Sequence, residues 1–160
     1  MAKAIPDGYH TATPYLTVKG AAKAIEFYKQ AFGAQEVTRM PGPDGQSLMH
    51  AEIKIGDSHI FLSDEFPGMA AKSPHTVGAV TASVHLYVEE VDAFFSKALA
   101  AGAQVRMPVM DMFWGDRYGR LVDPFGQEWG IATHKEDLSI KELQQRSQAF
   151  NAEMAKKQGA

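Results

Sequence analysis

The chain has 160 residues, 45% hydrophobic and 22% charged, with a formal net charge of −3 and no cysteine. This is the composition of an ordinary globular chain, one domain or two small halves sharing a core. It provides no basic footprint for nucleic acid, and it excludes disulfides, thiolate catalysis and cysteine-ligated zinc. No apolar run approaches a membrane span and the N-terminus lacks an apolar signal-like core, so the expectation is a cytoplasmic protein with neither membrane nor nucleic acid as partner.

Residues 1–12 read as a leader. From Thr13, the residues Thr13, Tyr15 and Thr17 alternate with Pro14, Leu16 and Val18, the period of a half-buried strand. Ala21 to Phe32 follows as a helix, with Ile25, Tyr28 and Phe32 at helical spacing and Gly33 as its stop. A strand over Glu36–Met40, a turn over Pro41–Gly45, and strands over Met49–Ile55 and His59–Ser63 joined by Gly56-Asp57 come next. The order then repeats: a strand over Ser83–Val88, a helix over Val91–Ala101 closed by Gly102, a strand from Gln104, an aromatic segment, and a last strand over Gln127–Thr133. Gly33-Ala34-Gln35 matches Gly102-Ala103-Gln104 at an offset of 69 (102 minus 33), so a β-α-β-β-β unit occurs twice. The tail, Leu138 to Lys157, is polar and helix-prone, with Ser139 and Glu142 as a capping box.

The apolar strand positions Leu16, Val18, Ile53, Ile55, Ile60, Leu62, Val84, Leu86, Val88, Trp129 and Ile131 are expected under the helices. The opposite face carries Thr13, Tyr15, Thr17, His50, His59, Phe61, Ser63, Ser83, His85, Tyr87 and Glu128. Two curved sheets would enclose these in a cleft, a standard form of small-molecule site. Beside it stands the segment Trp114 to Gly126, with two arginines and an Asp123-Pro124-Phe125-Gly126 turn. Trp114 and Tyr118 offer a stacking wall, or Trp114 fills a gap between the halves. Arg117 and Arg120 are expected to pair with Asp116 and Asp123 and so fix the loop. Asp64-Glu65 reads as a solvated turn, and His10, His75 and His134 as surface loop residues.

The paired β-α-β-β-β order resembles the vicinal oxygen chelate superfamily of glyoxalase I, extradiol dioxygenases and bleomycin-resistance proteins. Pro14-Tyr15-Leu16, Ala24-Ile25-Glu26-Phe27-Tyr28, Phe32-Gly33-Ala34 and Asp116-Arg117-Tyr118-Gly119 with Asp123-Pro124-Phe125-Gly126 look like its PhnB-like branch, over about residues 8 to 135. The resemblance implies an α+β fold of two βαβββ modules, residues 8–70 and 80–135, forming a curved mixed sheet around a cleft. It places residues 136–160 outside as a helical tail, and it implies a homodimer, or at least paired modules around a shared cleft.

Metal-dependent members of that superfamily carry four ligands, at one position on the first and last strand of each half. Those positions fall here on Thr13, Phe61, Ser83 and Gly130, none a good ligand for a divalent metal. A two-residue shift along each strand keeps the same face, which makes His59, His85 and Glu128, with Tyr15 as fourth position, candidates for a displaced metal set. As plain polar cleft residues they need no metal. His50 with Glu52 is a candidate acid–base pair, or a satisfied sheet histidine.

The reading favoured is a metal-independent small-molecule-binding protein of the bleomycin-resistance/glyoxalase-like type, without a cofactor. It would hold a planar or aromatic ligand with Tyr15, His50, Phe61, His85, Tyr87, Trp114, Tyr118 and Glu128. The other reading is a lyase, isomerase or dioxygenase-type enzyme using the displaced metal set or a metal-free His/Glu pair. A third is a catalytically silent subunit that serves association.

Overall fold

The internal repeat is built as two modules. The computed structural model describes residues 2–158; Met1 of the expected leader and the last two residues of the expected tail lie outside them. The first module comprises β1 (Tyr15–Val18), α1 (Ala21–Phe32), β2 (Gln35–Pro41), β3 (Leu48–Ile55) and β4 (Ser58–Asp64). A linker containing a short α2 (Pro74–Val77), which the sequence did not announce, leads to the second. That module comprises β5 (Val84–Tyr87), α3 (Val91–Ala100), β6 (Gln104–Asp111), β7 (Asp116–Val122) and β8 (Glu128–His134), and α4 (Ile140–Gln158) follows.

Each module forms a four-stranded sheet, β1-β4-β3-β2 and β5-β8-β7-β6. In each, the first and last strands of the module pair parallel and the rest antiparallel, so both sheets are mixed. The fold is α+β with two βαβββ modules. The registers match across the repeat: Tyr15 lies opposite Phe61 as His85 lies opposite Gly130. Glu52 lies opposite Phe61 as Arg120 lies opposite Gly130.

The apolar stripe of α1 explains how the halves join. Ile25, Tyr28 and Phe32 are buried, and the helix stops at Gly33 in the left-handed region. Phe32 stacks on Phe94 of α3 with centroids 5.7 Å apart, and it meets Trp129 of β8 at 4.7 Å. The Tyr28 hydroxyl crosses to the second module and donates to Asp123 Oδ2 at 2.7 Å, an oxygen that also accepts from Trp129 Nε1 at 2.9 Å. Leu16, Ile53, Ile60, Leu62, Leu86, Trp129 and Ile131 all enter one contiguous core shared by both modules.

Several local expectations are corrected. The first strand begins at Tyr15, leaving Thr13 in the approach to it. Most of the aromatic segment is a strand, β7, and not a loop. Asp64 is not a solvated turn acid. Gly20 has no side chain to cap α1, and Asp64 Oδ1 takes the N–H groups of Gly20 (2.7 Å) and Ala21 (3.0 Å) while Oδ2 takes that of Leu48 at 2.8 Å. Glu65 likewise accepts from Ser73 N at 3.0 Å and Thr76 Oγ1 at 2.7 Å, anchoring the linker.

Candidate functional site

Because side chains alternate along a strand, each sheet turns its apolar positions to its helix and gathers rings on the other face. In the first module Tyr15, His50 and Phe61 form one cluster. Tyr15 Oη lies 3.1 Å from His50 Nδ1, and the ring centroids of Tyr15 and His50 lie 5.9 and 5.1 Å from that of Phe61. His50 therefore pairs with Tyr15 and not with Glu52. Glu52, buried at 6% exposure, accepts instead from the Tyr9 hydroxyl and lies in hydrogen-bond contact with His59 Nδ1. That hydrogen bond, and then burial, push the Tyr9 hydroxyl above its ordinary range.

The second module carries a longer aromatic run. Trp114 meets Tyr118 edge-on at 5.7 Å, Tyr118 stacks on His85 at 5.4 Å and 14°, and His85 meets Tyr87 at 4.7 Å. Beneath the stack lies Gly130, where an added Cβ would stand 2.8 Å from Tyr118 Oη and 3.0 Å from His85 Nδ1. Desolvation raises the Tyr118 hydroxyl above its ordinary range. Asp116, 4% exposed, ties the run together. Its Oδ2 accepts from Trp114 Nε1 and Tyr87 Oη, both at 3.0 Å, and its Oδ1 lies 2.7 Å from His134 Nδ1.

The arginines are paired, but with other acids than expected. Arg117 bonds Asp92 at 2.6 and 2.7 Å and Asp111 at 3.1 Å, and Arg120 bonds Glu128. Asp123 holds Tyr28 and Trp129, and burial raises its carboxyl above the usual range against four lowering hydrogen bonds. His134 closes β8 and His75 sits in α2, bonded to the Pro124 carbonyl at 3.0 Å.

A cleft of about 640 Å³ opens between the first strands of the two modules, lined by Tyr15, Thr17, Ser83, Val84, His85 and the linker. Of the expected ligand residues it unites Tyr15 and His85; Trp114 lines a separate groove of about 700 Å³ against Phe113 and α4. Tyr9 carried no expectation, and two acids take other partners than expected: Glu52 meets Tyr9 and His59, not His50, and Asp116 meets Trp114, Tyr87 and His134, not the arginines. One signal was present for Tyr9: the Pro6-Asp7-Gly8 turn just before it, which folds the chain back.

The family's metal positions do not suit a metal in this chain. A side chain at position 130 would collide with Tyr118 and His85, and Phe61 is an apolar ring packed on Tyr15 and His50. The displaced set is not assembled within one chain either: among the described residues no group of three His, Asp or Glu side chains is placed to hold a metal ion. Glu128 lies beside Arg120, His85 beside Tyr118, and His59 beside Glu52. The described residues include no helix long and apolar enough to cross a membrane.

Paired βαβββ modules with a ring-lined polar face define a class that comparison makes specific. The family model described as "Glyoxalase/Bleomycin resistance protein/Dioxygenase superfamily" matches residues 9–131, and the chain belongs to that superfamily. It is 42% identical over 135 residues to the uncharacterized protein Mb0911c of Mycobacterium bovis, covering 82% of this chain and 88% of that one. It is 29% identical over 145 residues to protein YjdN of Escherichia coli, covering 78% and 95%. The solved structure of a PhnB protein from Bacillus cereus superposes with a TM-score of 0.61 at 19% identity, covering 78% of this chain and 99% of that one.

Proposed function

We infer that this protein is a metal-independent small-molecule-binding protein of the bleomycin-resistance/glyoxalase-like type. It holds a planar or aromatic ligand against the Trp114–Tyr118–His85–Tyr87 run, with no cofactor, as a cytoplasmic homodimer. The observation that carries the reading is the Tyr118–His85 stack over Gly130. Two rings occupy the place where metal-dependent relatives bring a ligand carboxylate, so the face trades a Lewis acid for a stacking surface. The cleft beside it, about 640 Å³, falls in the range of small-molecule sites. Dimer formation fits the exposure of Tyr15, Tyr87, Met40, Met49 and Met110 on the strands, which a second copy would cover.

The test combines elemental analysis with a thermal-shift screen of aromatic antibiotics, thiol adducts and phosphonates, with and without chelator. The expected result is protein without stoichiometric nickel, zinc or iron, stabilised by a ring-bearing compound whether or not chelator is present. Trp114→Ala should abolish that shift while lowering the melting temperature of the free protein only slightly. One equivalent of tightly bound metal overturns the reading, as does a Trp114→Ala variant that melts much earlier yet binds normally. The second reading, an enzyme using a metal-free His/Glu pair, draws on the contact of His59 with the buried Glu52. Chelator-insensitive turnover of a bound compound, lost in Glu52→Gln, would favour it.

A further inference from the structure

Residues 2–14, the leader and the approach to β1, form no helix or strand, and most of their side chains are exposed. Tyr9 and Thr13 are half-buried, and Tyr9 is the one that reaches across to the sheet. The Pro6-Asp7-Gly8 turn, closed by Tyr9 N–H to the Pro6 carbonyl at 3.2 Å with Gly8 at φ 85°, sets Tyr9 down on the polar face of the first module. There its ring stacks on His59 at 4.1 Å and 21° and lies 6.2 Å from Phe61, and its hydroxyl donates to Glu52. The three groups that receive it stand on β3 and β4, two paired strands of the first sheet. A buried carboxylate is costly unless donors meet it, and β3 and β4 supply only His59; Tyr9 brings the other donor from outside. Beside the ring, between leader and sheet, a largely apolar cavity of about 440 Å³ is lined by Ile5, Pro6, His10, Thr11, Thr13 and Phe61.

We propose that the recess formed by Glu52, His59 and Phe61 is a binding site for a phenolic ring, and that Tyr9 is its built-in occupant, displaced with the leader when a ligand enters. Every element of recognition is already satisfied by Tyr9: a flat face for His59, an edge for Phe61, and one donor for a buried acceptor. A free phenol presents the same chemistry without the tether. This site extends the small-molecule-binding reading to the first module and rests on that reading for its biological use, but its geometry is independent of Trp114.

The full-length Tyr9→Ala variant, its fold checked by near-ultraviolet circular dichroism, is titrated calorimetrically with p-cresol, 4-methylanisole and toluene. The variant should bind p-cresol about 10-fold or more tighter than either comparator, which lack the donor, and tighter than the wild type does. In the wild type, saturating p-cresol should speed exchange of the Tyr9 amide, which the Pro6-Asp7-Gly8 turn holds on the Pro6 carbonyl, because the leader is released. Trp114→Ala in the Tyr9→Ala background should leave p-cresol binding unchanged, which separates failure of this site from failure of the second module's wall. A folded Tyr9→Ala variant that binds none of the three, or binds toluene equally well, overturns the proposed site. Unchanged exchange of the Tyr9 amide in cresol-saturated wild type overturns the displacement.

Discussion

Gly130 shows how one residue can set the character of a face. It sits in β8 opposite His85, and the space a side chain would need is taken by Tyr118 and His85. Gly130→Ala should therefore destabilise by about 1–3 kcal/mol, because an added methyl must push rings off their rotamers. In a Tyr118→Ala background the same change should cost less than about half as much, since the nearest clash is gone. Urea unfolding of the wild type and the three variants of the cycle measures this, and strict additivity would show that the two sites do not meet. Counting from the Asp-Pro-Phe-Gly turn found Gly130 in the sequence, since a turn fixes register over a few residues. The rings that roof it come from β5 and β7, and no local rule pairs them. Tyr9 is an extreme case: it is 43 residues from Glu52, and only folding brings them together.

At the scale of elements, periodicity marked what one apolar face creates and failed where both faces are polar. The strands with alternating Leu, Ile and Val were legible, as was the capping box of α4, where Ser139 N donates to Glu142 Oε2 at 2.9 Å and Glu142 N to Ser139 Oγ at 3.3 Å. β7 was not, because Asp116, Tyr118 and Arg120 on one face alternate with Arg117 and Gly119 on the other, giving no hydrophobic alternation. Arg117 reaches Asp92 on α3 and Asp111 on β6, so its charge is matched where an apolar residue would be expected. The end of β8 was misjudged for a similar reason: His134 is half exposed, yet it lies against Asp116 Oδ1 at 2.7 Å and Asp137 Oδ1 at 3.0 Å. The hydrogen bond to Asp116, then that to Asp137, raises its imidazole above the ordinary value. A raised folded value means that the contribution is complete below the unfolded histidine value near about 6.5 and is lost as pH rises through the folded one. The melting-temperature advantage of wild type over His134→Gln should thus be larger near about pH 5.5 than near about pH 8.5. An advantage that grows with pH would show that the neutral ring, and not the ion pair, holds this corner.

For the whole molecule, the question is whether two similar modules behave as one cooperative unit. Their sheets are separate, and what joins them is helical and aromatic: α1 against α3, Phe32 on Phe94, and Tyr28 on Trp129 at 5.3 Å. The polar centre of that joint is Asp123, whose side chain accepts from Tyr28, Trp129, Phe125 N and Gln127 N. Two of those bonds are local to the turn that the sequence displayed. The one from Tyr28 spans 95 residues and couples the turn to the other module. Tyr28→Phe keeps the ring and removes that donor from a buried carboxylate, which should cost about 1–3 kcal/mol. For a domain of this size that corresponds to a fall of about 2–4 °C in melting temperature per kcal/mol. If the shared core is what makes the fold one unit, far-ultraviolet signal and the aromatic near-ultraviolet signal should fall together in the variant as in the wild type. Two separated transitions in Tyr28→Phe would mean that each module carries a sufficient core of its own, and that the joint around Asp123 is a docking contact between independent halves.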